Sequence, residues 1–344
     1  MRAAVFKQEG QIGVEDVERP ELESSGDALV RVTHTAICGS DLWFFRGERE
    51  QRPGSAVGHE PMGIVEEVSD DVTWIEPGDR VLAPFSISCG RCEYCRKGLQ
   101  TSCVDAQFWG GSNGGAQGEY VRCPHADGTL VKVPDHVDDE GTLRSLLPLT
   151  DVMGTGHHAA VSARVEQGDT AVVIGDGAVG LCAVHASRRL GARKIVAVGH
   201  HENRLEVARE MGATHTVSAE GEEAVEQVLE LTGGGSDHVA ECVGASSSLN
   251  QAAEIANPGG TVGYVGAPYG VDNEFSLFQY FGDNIELRGG VAPVRDYMPE
   301  LMEDVLQGTL DPSPVFTKEV ALENIQEGCE AMDSREEIKV LVKP

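Results

Sequence analysis

The sequence is poor in basic residues and aromatic residues, and it has no long apolar run. Seven lysines and 20 arginines face 56 acidic residues, so the 344-residue chain carries a formal net charge of −29. Such a charge repels phosphates and argues against nucleic-acid binding. No apolar stretch approaches the roughly 20 residues that span a bilayer, and the short apolar start soon turns polar. We therefore expect a cytoplasmic protein with neither a membrane nor a nucleic-acid partner.

The shortage of lysine accompanies acidic residues that are spread along the whole chain and form no tail-like block. Dense surface carboxylates keep a protein hydrated in concentrated salt, and the salt screens their mutual repulsion. This pattern predicts halophilic adaptation. The alternative is an acidic enzyme that works at ordinary salt.

The length of the chain suggests two domains. Up to about residue 150 the sequence predicts strands and loops, with strands at 28–37, 63–68 and 79–83. Beyond it, strands and helices alternate, which is typical of a parallel sheet covered on both faces. The predicted strands are 171–174, 194–199, 214–217, 238–243, 261–265 and 285–289, and the helices are 181–190, 203–211, 222–231 and 248–256. Residues 336–342 return to strand character.

A glycine-rich turn lies between the first strand and the first helix of this alternating part. Its pattern is Gly175-x-Gly177-x-x-Gly180, and a second strand follows at the spacing of a βαβ unit. The glycines permit a tight turn, close approach of a pyrophosphate, and close packing of helix on strand. In this context the pattern predicts a dinucleotide site. A glycine-rich turn without a ligand is the alternative.

Nine cysteines, an odd number in an apparently cytosolic chain, favour metal binding or free thiols over disulfides. Four of them, Cys89, Cys92, Cys95 and Cys103, fall within 15 positions. Four thiolates close together can enclose one tetrahedral zinc ion as a structural site. An iron–sulfur cluster is disfavoured because the proline that follows the ferredoxin-type run is absent. Thiols without metal remain a further alternative.

A second potential metal site is spread along the first half of the chain. Cys38 lies in Cys-Gly-Ser-Asp, His59 in Gly-His-Glu, and Asp151 at the entrance to the alternating part. A thiolate, an imidazole and a carboxylate make a three-ligand zinc site with an open fourth position. Such a site can activate an alcohol as a Lewis acid.

Together these motifs resemble the zinc-dependent medium-chain alcohol dehydrogenases, in the same order and over essentially the whole chain. The resemblance implies an α/β protein in which a GroES-like, β-rich catalytic domain is interrupted by a Rossmann domain. We expect the catalytic domain at 1–152, the doubly wound parallel sheet at 153–290, and a return to the catalytic domain at 291–344. It also implies a homodimer or homotetramer that acts on a small alcohol or carbonyl compound.

The resemblance assigns roles to individual residues. Cys38, His59 and Asp151 would hold the catalytic zinc, although Asp151 stands where many relatives have a second cysteine. In this the chain looks more like the secondary-alcohol and formaldehyde dehydrogenase branches. Glu60 would either approach the metal during ligand exchange or act as a nearby charge partner. Ser40 would take the proton of the alcohol while a nicotinamide takes the hydride.

Other matched positions concern the proton relay, the substrate pocket and the cofactor. Some relatives continue the proton relay through a histidine where this chain has Trp43. Thr155 would contact the nicotinamide, and Val179 belongs with the glycines of the fingerprint. Phe85 and Trp109 would line the substrate pocket, with core packing as the alternative.

Cofactor preference depends on the end of the second strand of the βαβ unit. NAD enzymes usually have an acid there that binds the ribose hydroxyls, but this chain has Gly199. His200 and Arg204 could pair with a 2′-phosphate. Glu202 could still serve a ribose, and the two histidines could be solvated loop residues. We predict NADP, with NAD possible.

The sequence therefore predicts a zinc alcohol dehydrogenase with one catalytic and one structural zinc ion. A polyol or sugar dehydrogenase of the same superfamily is the main alternative. A zinc-free quinone reductase is disfavoured by the second metal-ligand set. A zinc-ribbon binding module is disfavoured by the charge and the complete fingerprint.

Overall fold

A computed structural model describes residues 1–110, 114–268 and 275–344. The chain forms two compact units. One, here called the split unit, combines Met1–Asp151 with Pro293–Pro344, and the other, the inserted unit, is Val152–Ala292. Within the described ranges, no helix has both the length and the apolar character required to cross a membrane.

The split unit is rich in β structure. Its strands are β1 (Arg2–Gln8), β2 (Gln11–Asp16), β3 (Ala28–Ile37), β4 (Met62–Val68), β5 (Arg80–Leu82), β6 (Ser86–Ile87), β7 (Gln107–Phe108), β8 (Tyr120–Cys123), β9 (Val131–Lys132), β16 (Phe316–Ala321) and β17 (Lys339–Lys343). Its α-helices are α1 (Asp41–Phe45), α2 (Ala126–Thr129), α3 (Glu140–Leu146), α10 (Val294–Leu306) and α11 (Ile325–Asp333).

Strand β3 is the centre of the main sheet of the split unit, whose order is β16-β17-β3-β4-β5-β9, with β8 also paired to β3. Its alternating β-branched residues suit a pleated, half-buried surface: Val30 and Val32 are buried and Arg31 is exposed. β4 and β17 both run antiparallel to it. Segments from both ends of the chain therefore share one sheet and one core.

The inserted unit alternates strands and helices. Its strands are β10 (Thr170–Ile174), β11 (Lys194–Gly199), β12 (His215–Ser218), β13 (Ser236–Glu241), β14 (Ala256–Tyr264) and β15 (Glu286–Gly289). Its helices are α4 (Val152–Ser162), α5 (Ala178–Arg189), α6 (Glu202–Met211), α7 (Gly221–Thr232), α8 (Ser246–Ile255) and α9 (Leu277–Gly282).

All neighbouring strands of the inserted sheet are parallel, and their order is β12-β11-β10-β13-β14-β15. This is the Rossmann order, in which the direction of winding reverses between β10 and β13. Apolar residues such as Val172, Val196 and Val239 are fully buried at its centre. The predicted fold class, a β-rich GroES-like part and a parallel Rossmann-like sheet, is confirmed.

Candidate active site

The first site forms where β3 ends and β4 begins. These strands are antiparallel neighbours with His34 opposite Met62, so the residues after β3 and before β4 lie at one edge of the sheet. Cys38 follows β3, and His59 and Glu60 precede β4. Gly58 has a φ of 89°, and a Cβ there would lie 2.4 Å from the side chain of Gln117. Only glycine fits this turn, which presents His59 to the site.

Asp151 completes the cluster from a tight helical turn at Leu147–Thr150. Its Oδ2 lies 3.3 Å from Cys38 Sγ and 3.2 Å from His59 Nε2. With Glu60 included, one potential ligand atom from each of the four residues lies within 4.8 Å of the others. The structure thus brings together residues that are spread over more than 100 positions of the sequence, since Cys38 and Asp151 are 113 positions apart.

Asp41 supports this cluster from behind, a role that the sequence analysis missed. Its Oδ1 lies 3.3 Å from His59 Nδ1, and its Oδ2 accepts hydrogen bonds from Cys38 N and Gln117 Nε2, each at 3.0 Å. A carboxylate on one imidazole nitrogen fixes the ring so that the other nitrogen faces a metal. Its position beside Ser40 in the Cys-Gly-Ser-Asp motif was the only available signal.

Glu60 is fully buried and bonded to a lysine that local sequence gives no reason to expect. Lys339 Nζ donates to Glu60 Oε1 at 2.6 Å and to Ile37 O at 3.2 Å. Lys339 is 1% exposed and Glu60 0%. Glu60 Oε2 is buried with no hydrogen-bond partner in the described part of the chain. A buried oxygen in this state is costly unless a cation or proton compensates it.

The electrostatics of the cluster favour a bound cation. Burial alone would lower the pKa of His59, but the carboxylate of Asp41 and the sulfur of Cys38 raise it well above its usual value. Burial also opposes charge on Lys339, yet Glu60 raises the pKa of that lysine. Burial and the neighbouring Asp151 raise the pKa of the Cys38 thiol. Acidic groups are thus in excess, and a divalent ion would balance them.

The donor set fits zinc. One sulfur, one imidazole nitrogen and a carboxylate oxygen are all ligands that zinc accepts, and three protein ligands leave the open position of a catalytic site. The unpartnered oxygen of Glu60 can serve as a further ligand.

The four-cysteine loop forms a second, local cluster. Cys92 Sγ lies 3.5 Å from Cys95 Sγ and 3.9 Å from Cys103 Sγ, and Cys103 Sγ lies 3.4 Å from Cys89 Sγ. A tetrahedron with Zn–S bonds of about 2.3 Å places its sulfurs about 3.8 Å apart. The geometry therefore suits one zinc ion with no open position.

Main-chain N–H groups point at these sulfurs. Cys89 N lies 3.3 Å and Asp105 N 3.4 Å from Cys103 Sγ. The N–H of Cys95 lowers the pKa of Cys92 to about 6, whereas burial raises that of Cys95 to about 12. Such N–H donors stabilise thiolates, which is the form that a metal requires.

The remaining residues predicted in this unit have different surroundings. Ser40 is partly exposed, and its side chain makes no capping hydrogen bond to α1. Trp43 is half-buried on that helix. Trp109 packs in the core and donates to Pro84 O at 2.7 Å, which favours the packing role over a pocket role. Phe85 is half-buried and stacks on Phe108, with ring centroids 6.2 Å apart.

In the inserted unit, each of the three fingerprint glycines is suited to its position for a different physical reason. Gly175 has a φ of 117°, which supports the sharp turn after β10. A Cβ on Gly180 would lie 1.9 Å from Gly175 O, so the helix could not pack as closely. A Cβ on Gly177 would meet nothing, so this face is open to a ligand. Val179, in the first turn of α5, is partly exposed, as Thr155 is on α4.

The end of β11 is more acidic than the sequence analysis expected. His200 is half-exposed, with its Nδ1 3.4 Å from Glu220 Oε1. Arg204 is buried, with its NH1 3.9 Å from Asp176 Oδ1. Glu202 pairs with Arg209 at 2.8 Å. Asp176, one residue after the first fingerprint glycine, was missed.

Comparison with known proteins assigns the class. Residues 24–135 match the alcohol dehydrogenase GroES-like domain, and residues 178–307 match the zinc-binding dehydrogenase family. The zinc-type alcohol dehydrogenase-like protein AdhB of Bacillus subtilis is 34% identical over 380 residues, covering 100% of both chains. Sorbitol dehydrogenase of the same species is 30% identical, covering 100% of this chain and 97% of its own.

Comparison with solved structures gives the same class of protein. Alcohol dehydrogenase TADH from Thermus sp. ATN1 superposes with a TM-score of 0.91 at 35% identity, covering 100% of this chain and 99% of that one. A zinc-binding dehydrogenase from Sinorhizobium meliloti, bound to NADP, gives 0.84 at 27% identity, covering 100% and 99%.

The chain is an oxidoreductase with a GroES-like part and a Rossmann-like part. It belongs to the zinc-dependent medium-chain alcohol dehydrogenase family, as the sequence analysis predicted.

Proposed function

We propose that this protein is a zinc-dependent dehydrogenase that interconverts an alcohol with its aldehyde or ketone, and that it prefers NADP(H) to NAD(H). The observation that carries the proposal is the convergence of Cys38, His59 and Asp151 with the buried Glu60, whose Oε2 has no hydrogen-bond partner in the described part of the chain. A merely structural cluster would have no reason to leave that oxygen without a partner.

Each residue then has a defined task. Cys38, His59 and Asp151 hold the zinc ion, Asp41 fixes the ring of His59, and Glu60 balances charge beside it. Bound zinc would supply Lewis-acid polarisation of the alcohol oxygen, and a bound nicotinamide cofactor would supply the hydride chemistry. Ser40 takes the proton of the alcohol. With Trp43 in place of the next relay group, that proton reaches solvent by another route.

Zinc analysis combined with a substrate panel tests this proposal. Extensively dialysed protein should contain close to two zinc ions per chain, one in each cluster. Turnover of secondary alcohols, primary alcohols and polyols with both cofactors identifies the substrate class. A polyol or sugar dehydrogenase is the second candidate because a sorbitol dehydrogenase is among the relatives. Metal-free protein that turns over alcohols at the full rate would refute the zinc mechanism.

The proposed NADP preference depends on the turn after β11. Gly199 offers no acid to the ribose hydroxyls, and the half-exposed His200 is a potential phosphate donor. Arg204 can contribute positive charge, although it shares this with Asp176. Because of that sharing we expect a modest preference, measured as the ratio of kcat/KM for NADP to kcat/KM for NAD. A ratio below one would refute it.

We also infer a homo-oligomer. Strand β15 lies at the edge of the inserted sheet, and large apolar side chains lie near it in the sequence. Phe278, Phe281 and Val291 are 81%, 80% and 62% exposed. An edge strand and large exposed apolar side chains are each typical of an interface. Light scattering distinguishes monomer, dimer and tetramer. A cytoplasmic location remains an expectation from the sequence.

A further inference from the structure

At the end of β11, where NAD enzymes usually have an acidic residue, this chain has Gly199. The side chain of Asp176 fills the space beside it. A Cβ built on Gly199 would lie 2.5 Å from the Cβ of Asp176 and 2.7 Å from its Oδ2. The Asp176 side chain therefore occupies the space that a side chain at the end of β11 would enter. Asp176 belongs to the glycine-rich turn itself, between Gly175 and Gly177.

One oxygen of this carboxylate is held by the turn after β11. Oδ2 accepts hydrogen bonds from His200 N at 2.8 Å, His201 N at 2.9 Å and His201 Nδ1 at 2.8 Å. Asp176 thus connects the glycine-rich turn to the turn after β11 by hydrogen bonds. Its side chain is only 10% exposed, so little solvent screens its charge.

The other oxygen faces the basic residue that a 2′-phosphate would use. Oδ1 lies 3.9 Å from Arg204 NH1, and the Arg204 side chain is also 10% exposed. Two basic side chains that follow β11, Arg204 and His201, therefore both lie beside the same carboxylate, which also accepts from the main chain of His200. A phosphate arriving there must compete with Asp176 for them.

We propose that Asp176 is a specificity-determining residue that restrains the preference for a 2′-phosphorylated cofactor and keeps NAD acceptable. This inference rests on the proposed function in one respect, namely that the inserted unit binds a pyridine dinucleotide. The carboxylate repels the phosphate and engages Arg204 and His201, while a ribose diol carries no charge to be repelled.

The test is nucleotide binding, which needs neither zinc nor turnover. Adenosine 2′,5′-bisphosphate and 5′-AMP differ only in the 2′-phosphate, so the ratio of their Kd values isolates its contribution. Asp176→Asn keeps an oxygen that can accept from the main chain but removes the charge. We define the ratio as Kd for 5′-AMP divided by Kd for the bisphosphate, both measured by isothermal titration calorimetry at one fixed salt concentration. We expect this ratio to be about tenfold higher in Asp176→Asn than in the wild type.

Asp237→Asn is the matched control. Asp237 lies at the start of β13, near the amino ends of the parallel strands, whereas the turn lies at their carboxyl ends. Its side chain is exposed and accepts a hydrogen bond from Asn257. This variant changes the net charge equally, so a purely global charge effect would shift both ratios. We expect the ratio for Asp237→Asn to equal that of the wild type.

The outcomes separate the two proposals. If both nucleotides bind and Asp176→Asn leaves the ratio unchanged or lowers it, the role of Asp176 is wrong while dinucleotide binding stands. If neither nucleotide binds the wild type, both proposals fail. Should the Asn variant not fold, Asp176→Ser also removes the charge while offering an acceptor oxygen, and it must raise the ratio in the same way.

Discussion

The two candidate metal sites of the split unit are built in opposite ways. The four cysteines lie in one short loop, and main-chain N–H groups of that same loop stabilise their thiolates. The cluster around Cys38 draws on β3, on the turn before β4, on the turn at Asp151, and on Lys339 from β17. A closed site thus depends on local geometry, whereas an open one depends on distant groups that balance its charge.

The largest expected effect follows from removing that distant charge. Lys339→Met leaves the Glu60 carboxylate buried without its cation, and breaking one side of a buried ion pair costs about 3–5 kcal/mol. Urea unfolding should show this loss. The double variant Glu60→Gln with Lys339→Met should recover much of it, since no buried charge is left alone. An additive double variant would show that the two residues act independently.

The second expected effect separates the clusters by activity. Asp151→Asn weakens a zinc ligand, so turnover should fall by at least about a hundredfold while the fold survives. Cys92→Ser should instead remove the other zinc ion and lower thermal stability, with kcat/KM per folded chain within about threefold of the wild type.

Zinc content and circular dichroism, measured on both variants, provide the control. If Asp151→Asn turns over at the wild-type rate with zinc still bound, Asp151 is not a ligand. If Cys92→Ser retains two zinc ions, the four-cysteine loop is not a metal site.

The smallest expected effect concerns salt. The net charge of −29 comes from acids that are mostly at the surface, and the Debye length falls to about 3 Å at 1 M salt. The Tm of the wild type should therefore rise by several degrees from low to molar KCl. The deficit of Lys339→Met should stay constant over the same range, because the Glu60–Lys339 pair is shielded from solvent ions. A flat or falling Tm would contradict halophilic adaptation.

Local patterns explain what the sequence could predict. The alternation after residue 150 and the glycine fingerprint specify the parallel sheet, and the four-cysteine spacing specifies a cluster within one loop. Strand β14 shows the limit, since it was predicted at 261–265 but begins at Ala256. Ala256 pairs with Ser236 and Thr261 with His238, so the Asn-Pro-Gly-Gly stretch at 257–260 lies in the register shift between them, with Gly259 at a φ of 81°. The turn propensity of this stretch is therefore expressed, and one pairing ahead of it moves the start of the strand.

Long-range pairing explains what the sequence could not predict. Cys38, His59 and Asp151 were grouped by their ligand chemistry, and only the family resemblance assigned them to one catalytic zinc ion, because no local period links them. Lys339 looks like an ordinary strand residue until β17 pairs with β3. Asp176 is hidden for a related reason, since its partners at His200 and His201 come from the next strand's end.

The pairing of Glu60 with Lys339 also affects the order in which the chain can fold during synthesis. The two residues are 279 positions apart, and the entire inserted unit is synthesised between them. At about 5–20 residues per second, a ribosome takes roughly 14–56 s to cover that distance. For this interval the nascent chain carries the acids of the cluster without their internal cation. The inserted unit therefore has time to fold first, and translation sets the moment at which Lys339 can neutralise the buried charge of Glu60.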